Sequence, residues 1–182
     1  MKFHYNPRKA AQAAAYLVRL SGGRMDFYAL IKLLYFSDRR ALSRRGRPIT
    51  GDFMVSMPYG PVLSRILNEA GAPELLQNQH WSELLNQREN NSVSLKQENP
   101  PTNELSQFER DILKAEFEHY GHYGFKDLMA IAHALPEFKD PNGSSLPIDP
   151  ASILREEGWT DEEIQDAAMS AREEVFFNEI GR

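Results

Sequence analysis

The chain has 182 residues, 41% hydrophobic and 26% charged, with a formal net charge of −5 and no cysteine. This is the composition of a soluble globular protein of one well-packed domain, residues 1–182, and it excludes disulfides, thiolate nucleophiles and cysteine-based zinc sites. No apolar run approaches the roughly 20 residues of a membrane-spanning helix. The N-terminal stretch lacks the continuous apolar core of a secretory signal, so a cytoplasmic location is expected.

The charge is divided unevenly. Residues 1–70 carry 12 Lys/Arg against 4 Asp/Glu, whereas residues 71–182 carry 9 against 22. Two halves of opposite sign either neutralise each other within one fold or steer different partners to different faces.

In chain order, Pro7 to Leu20 reads as a first helix. Asn6 is placed to cap it, Pro7 suits its first turn, and Ser21-Gly22-Gly23 ends it. A second helix is predicted from about Asp26 to Ser43. Its apolar positions include Phe27, Leu30, Leu33 and Leu34, widened by Ile31 and Tyr35 until much of its girth is buried. Asp52 to Met57 is a short strand candidate. Pro58-Tyr59-Gly60-Pro61 is a tight turn, with Pro61 suited to open a helix running to Ala70. His80 to Gln87 and Asn91 to Gln97 read as two short strands around a polar tip, although Ser82 to Leu85 fits a helical turn equally well.

Ser106 and Glu109 form a capping box for the next helix, which Gly121 and Gly124 interrupt before Phe125 to Leu135 resumes. Glu137 to Pro150 reads as a loop, and a second capping box, Thr160 with Glu163, opens a last helix to about Glu179. The fold class is α+β: a mainly helical single domain with a small antiparallel β element.

The candidate chemistry is sparse. Arg39, Arg40, Arg44, Arg45 and Arg47 fall within nine residues. Such a burst pairs with acids of its own chain, docks an acidic protein surface, or grips phosphates. Asp38, if buried, needs a cation or several hydrogen-bond donors, and an ion pair with an arginine is the favoured reading. Glu116, His119 and His122 have i, i+3 spacing, but Gly121 breaks the helix that would align them and no second motif follows, so no metal is assigned. His133 reads as a buried, hydrogen-bonded histidine. No serine sits in a Gly-x-Ser-x-Gly context and there is no glycine-rich phosphate loop, so no catalytic residue or cofactor is assigned and the chain is not read as an enzyme.

KLLYFSDRRAL (32–42), GRPITGD (46–52) and MPYGPVLSRI (57–66) resemble the Panacea domain, the SocA-like antitoxin family. LSQFERDIL (105–113), KDLMAIAHALPEF (126–138) and GWTDEEI (158–164) extend the resemblance over nearly the whole chain. One departure is Phe138, where the family often places tryptophan. The resemblance implies an antitoxin of a bacterial or phage toxin–antitoxin pair that neutralises its toxin by direct protein contact. One member also acts as an adaptor that delivers its toxin to an ATP-dependent protease, and other relatives are phage-associated proteins.

The family carries no settled catalytic residues, and its motif positions, including Gly46 and Pro48, read as mostly architectural. The expected partner-binding residues are Tyr35, Asp38, Arg39, Arg40, Arg44, Tyr59, Gly60 and Pro61, with Tyr59 as the aromatic anchor and the arginines nearby. The alternative is a nucleic-acid-binding transcriptional regulator that uses the basic N-terminal half.

Overall fold

Helix α2, Phe27–Arg45, is the axis of the molecule, and a computed structural model that describes residues 1–71 and 79–180 packs four other helices and two short strands around it. Asp26 caps its start by accepting from the Ala29 amide at 2.9 Å. Gly46 ends it in the left-handed conformation, φ 67°, donating its own amide to Leu42 O. Every side chain from Ala29 to Asp38 is buried. Helix α1, Pro7–Leu20, lies beside it, capped by Asn6, and its alanines are buried so that two backbones approach closely.

Strand β1, Arg24–Asp26, pairs antiparallel with β4, Ser92–Ser94, in the register Met25 to Val93. Strand β2, Met54–Ser56, is the centre of a second sheet. It pairs antiparallel with β3, Val62–Leu63, on one side and β5, Leu146–Pro147, on the other. Helices α3, Ser64–Gly71, and α4, Gln79–Leu84, follow, then α5, Gln107–Tyr120, and α6, Phe125–His133. Helices α7, Pro150–Glu156, and α8, Asp161–Ile180, complete the described chain. One hydrophobic cluster runs from Tyr5 to Ile164, so the fold is α+β with helix dominant.

Both capping boxes form. The Ser106 amide donates to Glu109 Oε2 at 2.7 Å, and the Thr160 amide to Glu163 Oε2 at 2.7 Å. Elsewhere the structure departs from the expected elements. Residues 79–84 are helical rather than extended, because Trp81 and Leu84 turn to one buried face. The pairing expected between 80–87 and 91–97 shrinks to isolated bridges such as Leu85 to Leu95, and β4 finds its partner in β1 instead. Pro61 does not open a helix. Val62 and Leu63 first pair with β2, and α3 starts at Ser64, where Asp52 Oδ2 accepts the Ile66 amide at 2.9 Å. The loop at 137–150 contains β5 and ends on Asp149, which caps α7.

Candidate functional site

The turn at residues 57–61 is closed by the Gly60 amide donating to Met57 O at 2.8 Å. Three of its carbonyls are then held from outside. Tyr28 Oη donates to Tyr59 O at 2.7 Å, Lys32 Nζ donates to Pro61 O at 2.7 Å, and His133 Nε2 lies 3.1 Å from Pro58 O. Lys32 is fully buried, and burial pushes its pKa down to about 7. The Gly60 backbone lies directly on α6. At φ +94° a Cβ there would stand 2.7 Å from the Ala132 Cβ, so only glycine fits.

A turn fixed this way displays the Tyr59 ring beside the exposed Pro58. Tyr59 is 60% exposed, and its ring meets the Phe125 ring edge-on at 5.6 Å. Phe125, itself 46% exposed, lies 4.4 Å from the Tyr28 ring. Tyr28 from α2, Phe125 from α6 and Tyr59 from the turn thus form one aromatic platform at the surface. His133, expected to be buried, is exposed on its edge, stacked on Phe138 at 4.3 Å.

The other expected site residues are distributed differently. Gly60 and Pro61 are buried beneath Tyr59, but Tyr35 and Asp38 lie inside the core with no path to a partner in this conformation. Tyr35 Oη donates to Glu137 Oε1 at 2.8 Å. Asp38 is not paired with an arginine. It accepts from the amides of Ile49 and Thr50 at 3.1 and 3.0 Å and from the Thr50 hydroxyl at 2.5 Å, pinning the segment after α2. Burial raises its pKa to about 7 against the pull of those donors. Neighbouring side chains on a helix diverge by about 100°, so Arg39 points elsewhere than Asp38.

Arg39 donates from Nε to Glu137 at 2.8 Å and from Nη1 to Glu157 at 2.9 Å. Arg40 pairs with the buried Glu116, Arg47 pairs with Glu174, and Arg45 lies 3.7 Å over the Phe108 ring. Arg39, Arg40 and Glu116 line a cleft of about 200 Å³ whose charges are already matched. Three arginines of the burst, Arg39, Arg40 and Arg47, are thus paired with acids from the second half of the chain. Arg44 is exposed, but it lies twelve residues beyond Lys32 on α2, about 18 Å along the axis and away from the Tyr59 turn.

Residue spacing did not reveal Tyr28, Lys32 and Phe125. The available signal was Lys32 itself, a lone cation inside an apolar helix with no acid one turn away. Among the described residues no group of histidines, aspartates or glutamates is arranged to hold a metal ion, and no helix is long and apolar enough to cross a membrane.

The chain is thus a mainly helical α+β domain with a rigidly mounted aromatic surface and with Arg39, Arg40 and Arg47 paired to acids of its own second half. The chain belongs to the antitoxin SocA-like, Panacea domain family, whose family model matches residues 30–138. That segment contains α2 from Leu30 onward, the Tyr59 turn, α6 and the ion-paired Glu137, while Tyr28 lies just before it. Comparison with curated proteins and with solved structures gives no match.

Proposed function

We propose that this chain is an antitoxin that binds and neutralises a toxin protein, and that the Tyr28–Phe125–Tyr59 platform is its contact surface. The observation that carries the reading is Tyr59, exposed on a turn whose carbonyls are pinned by three side chains, in a chain of an antitoxin family. Tyrosine is favoured at energetic centres of interfaces, and a side chain on a fixed backbone loses little freedom on docking. The role is one of binding, with no reaction to perform.

Growth rescue tests it. The reading frame adjacent to this gene is expressed in bacteria alone and with this chain. Toxicity relieved by the wild-type chain and not by Tyr59→Ala supports the reading, and a toxic neighbour that wild type fails to relieve refutes it. Delivery to an ATP-dependent protease is distinguished from simple masking by the toxin level, which falls on rescue in the first case and holds steady in the second.

A further inference from the structure

Helix α8 carries a second exposed surface that the Tyr59 platform does not explain. Its inner side is seated at the end of α2: Ile164 and Ala171 are buried, and a Cβ on Gly46 would stand 3.0 Å from the Ala167 Cβ. The opposite side is a stripe at four-three-four-three spacing, Glu162, Asp166, Met169, Glu173 and Phe176, every member exposed. Met169 is 57%, Phe176 58% and the adjoining Phe177 69% exposed, and the two phenylalanine rings meet each other edge-on at 5.9 Å.

Two features of this stripe are unfavourable for the isolated chain. Large apolar rings stand in water, and the stripe gathers the exposed acids Glu162, Asp166 and Glu173, the first two one turn apart, with no cation among its members. Arg172 is the single basic residue of α8, against seven acidic ones. One occupant relieves both: a surface with an apolar pocket and a cationic rim. A second copy of α8 would bring like charges together.

We infer that the outer face of α8 is a docking helix for a basic groove on the partner protein, with Phe176 and Phe177 in its apolar floor and Glu173 at its cationic rim. For the identity of that partner the inference rests on the toxin-binding reading, and α8 supplies a contact separate from Tyr59. Helices commonly dock this way, apolar anchors in a groove with charge fixing the orientation.

The test titrates the full chain with the purified product of the adjacent reading frame and sediments the chain alone. Phe176→Ala with Phe177→Ala is expected to weaken binding about 100-fold. Glu173→Lys is expected to slow association and flatten its salt dependence. Both variants should keep the wild-type melting temperature and remain monomeric. If the double variant binds as wild type does while Tyr59→Ala binds weakly, α8 is no docking helix and the toxin reading stands. If wild type sediments as a dimer that the double variant dissociates, the occupant is a second copy and the inference is overturned. If wild type does not bind the product at all, the toxin reading fails and takes this partner with it.

Discussion

The turn that carries Tyr59 and the helix end that carries Phe176 and Phe177 expose aromatic rings to a similar degree and are built in opposite ways. Beneath Tyr59 lie Tyr28, Lys32, His133 and the Ala132 methyl, each in contact with the turn backbone. Beneath the last turns of α8 the packing thins, since Ala171 is the last described residue of that helix that is buried. The first surface holds its shape before a partner arrives. The second is tied back mainly by the Arg47–Glu174 ion pair and gains most from a partner that covers it. Exposure by itself therefore says little about a binding residue; what supports the side chain from behind decides how much ordering cost the encounter carries.

The largest expected effect separates the two regions by stability. Gly60→Ala forces a β-carbon into the Ala132 methyl in a left-handed backbone, which should cost about 2–4 kcal/mol. Denaturant unfolding would show this as a lowered midpoint. An unchanged midpoint would mean the turn is not held against α6.

Next comes Glu137, the buried carboxylate shared by Tyr35 and Arg39. Glu137→Ala leaves the Tyr35 hydroxyl without its acceptor and Arg39 with Glu157 alone, and should destabilise by about 1–3 kcal/mol. It should do so without altering Tyr59's surroundings, so binding at saturating folded protein should survive. Loss of binding at full folding would show that the ion-pair network takes part in the contact.

Lys32 gives the turn a pH signature. Its folded pKa of about 7 lies below the ordinary lysine value of 10.5, so between these limits the unfolded chain holds more protons than the folded one. Stability should therefore rise as pH increases from 7 towards 10, by at most about 1.4 kcal/mol per pH unit, and this contribution should be lost as pH falls through 7. Lys32→Met removes that component. An equally steep slope in the variant would show that Lys32 is not buried uncharged.

The smallest stability effect belongs to the helix end. Phe176→Ala should shift stability by no more than about 0.5 kcal/mol, because more than half of the side chain is already exposed to solvent. A larger loss, read in the same unfolding assay, would erase the contrast between the two surfaces.

Local rules made part of this molecule legible in its sequence. The bounds of α1 follow from Asn6, Pro7 and the Ser21-Gly22-Gly23 stop, and the capping boxes placed α5 and α8 within a residue or so. The same rules could not separate a short strand from a helical turn at residues 80–85, since a brief apolar run fits both periods. The β1 and β4 pairing joins segments more than sixty residues apart, which no local pattern records. Helix α7 was legible but passed over: Asp149 followed by Pro150 is a cap and first-turn signal of the kind that located α1.

The candidate site shows the same division. The Tyr59-Gly60-Pro61 turn was evident from its residues, but its supports reach it from residues 28, 32 and 133. Asp38 stood out as a carboxylate in an apolar helix, yet its partners are backbone amides a dozen residues on, and backbone amides leave no trace in residue type.

The central claim is that Tyr59, held on its pinned turn, anchors the toxin. Titration calorimetry of the purified chain with the adjacent gene's product, wild type against Tyr59→Ala, tests it most directly. The expected result is a loss of about 2 kcal/mol, roughly 30-fold in affinity, with an unchanged melting temperature. Equal affinity of the two proteins for the toxin would contradict the claim.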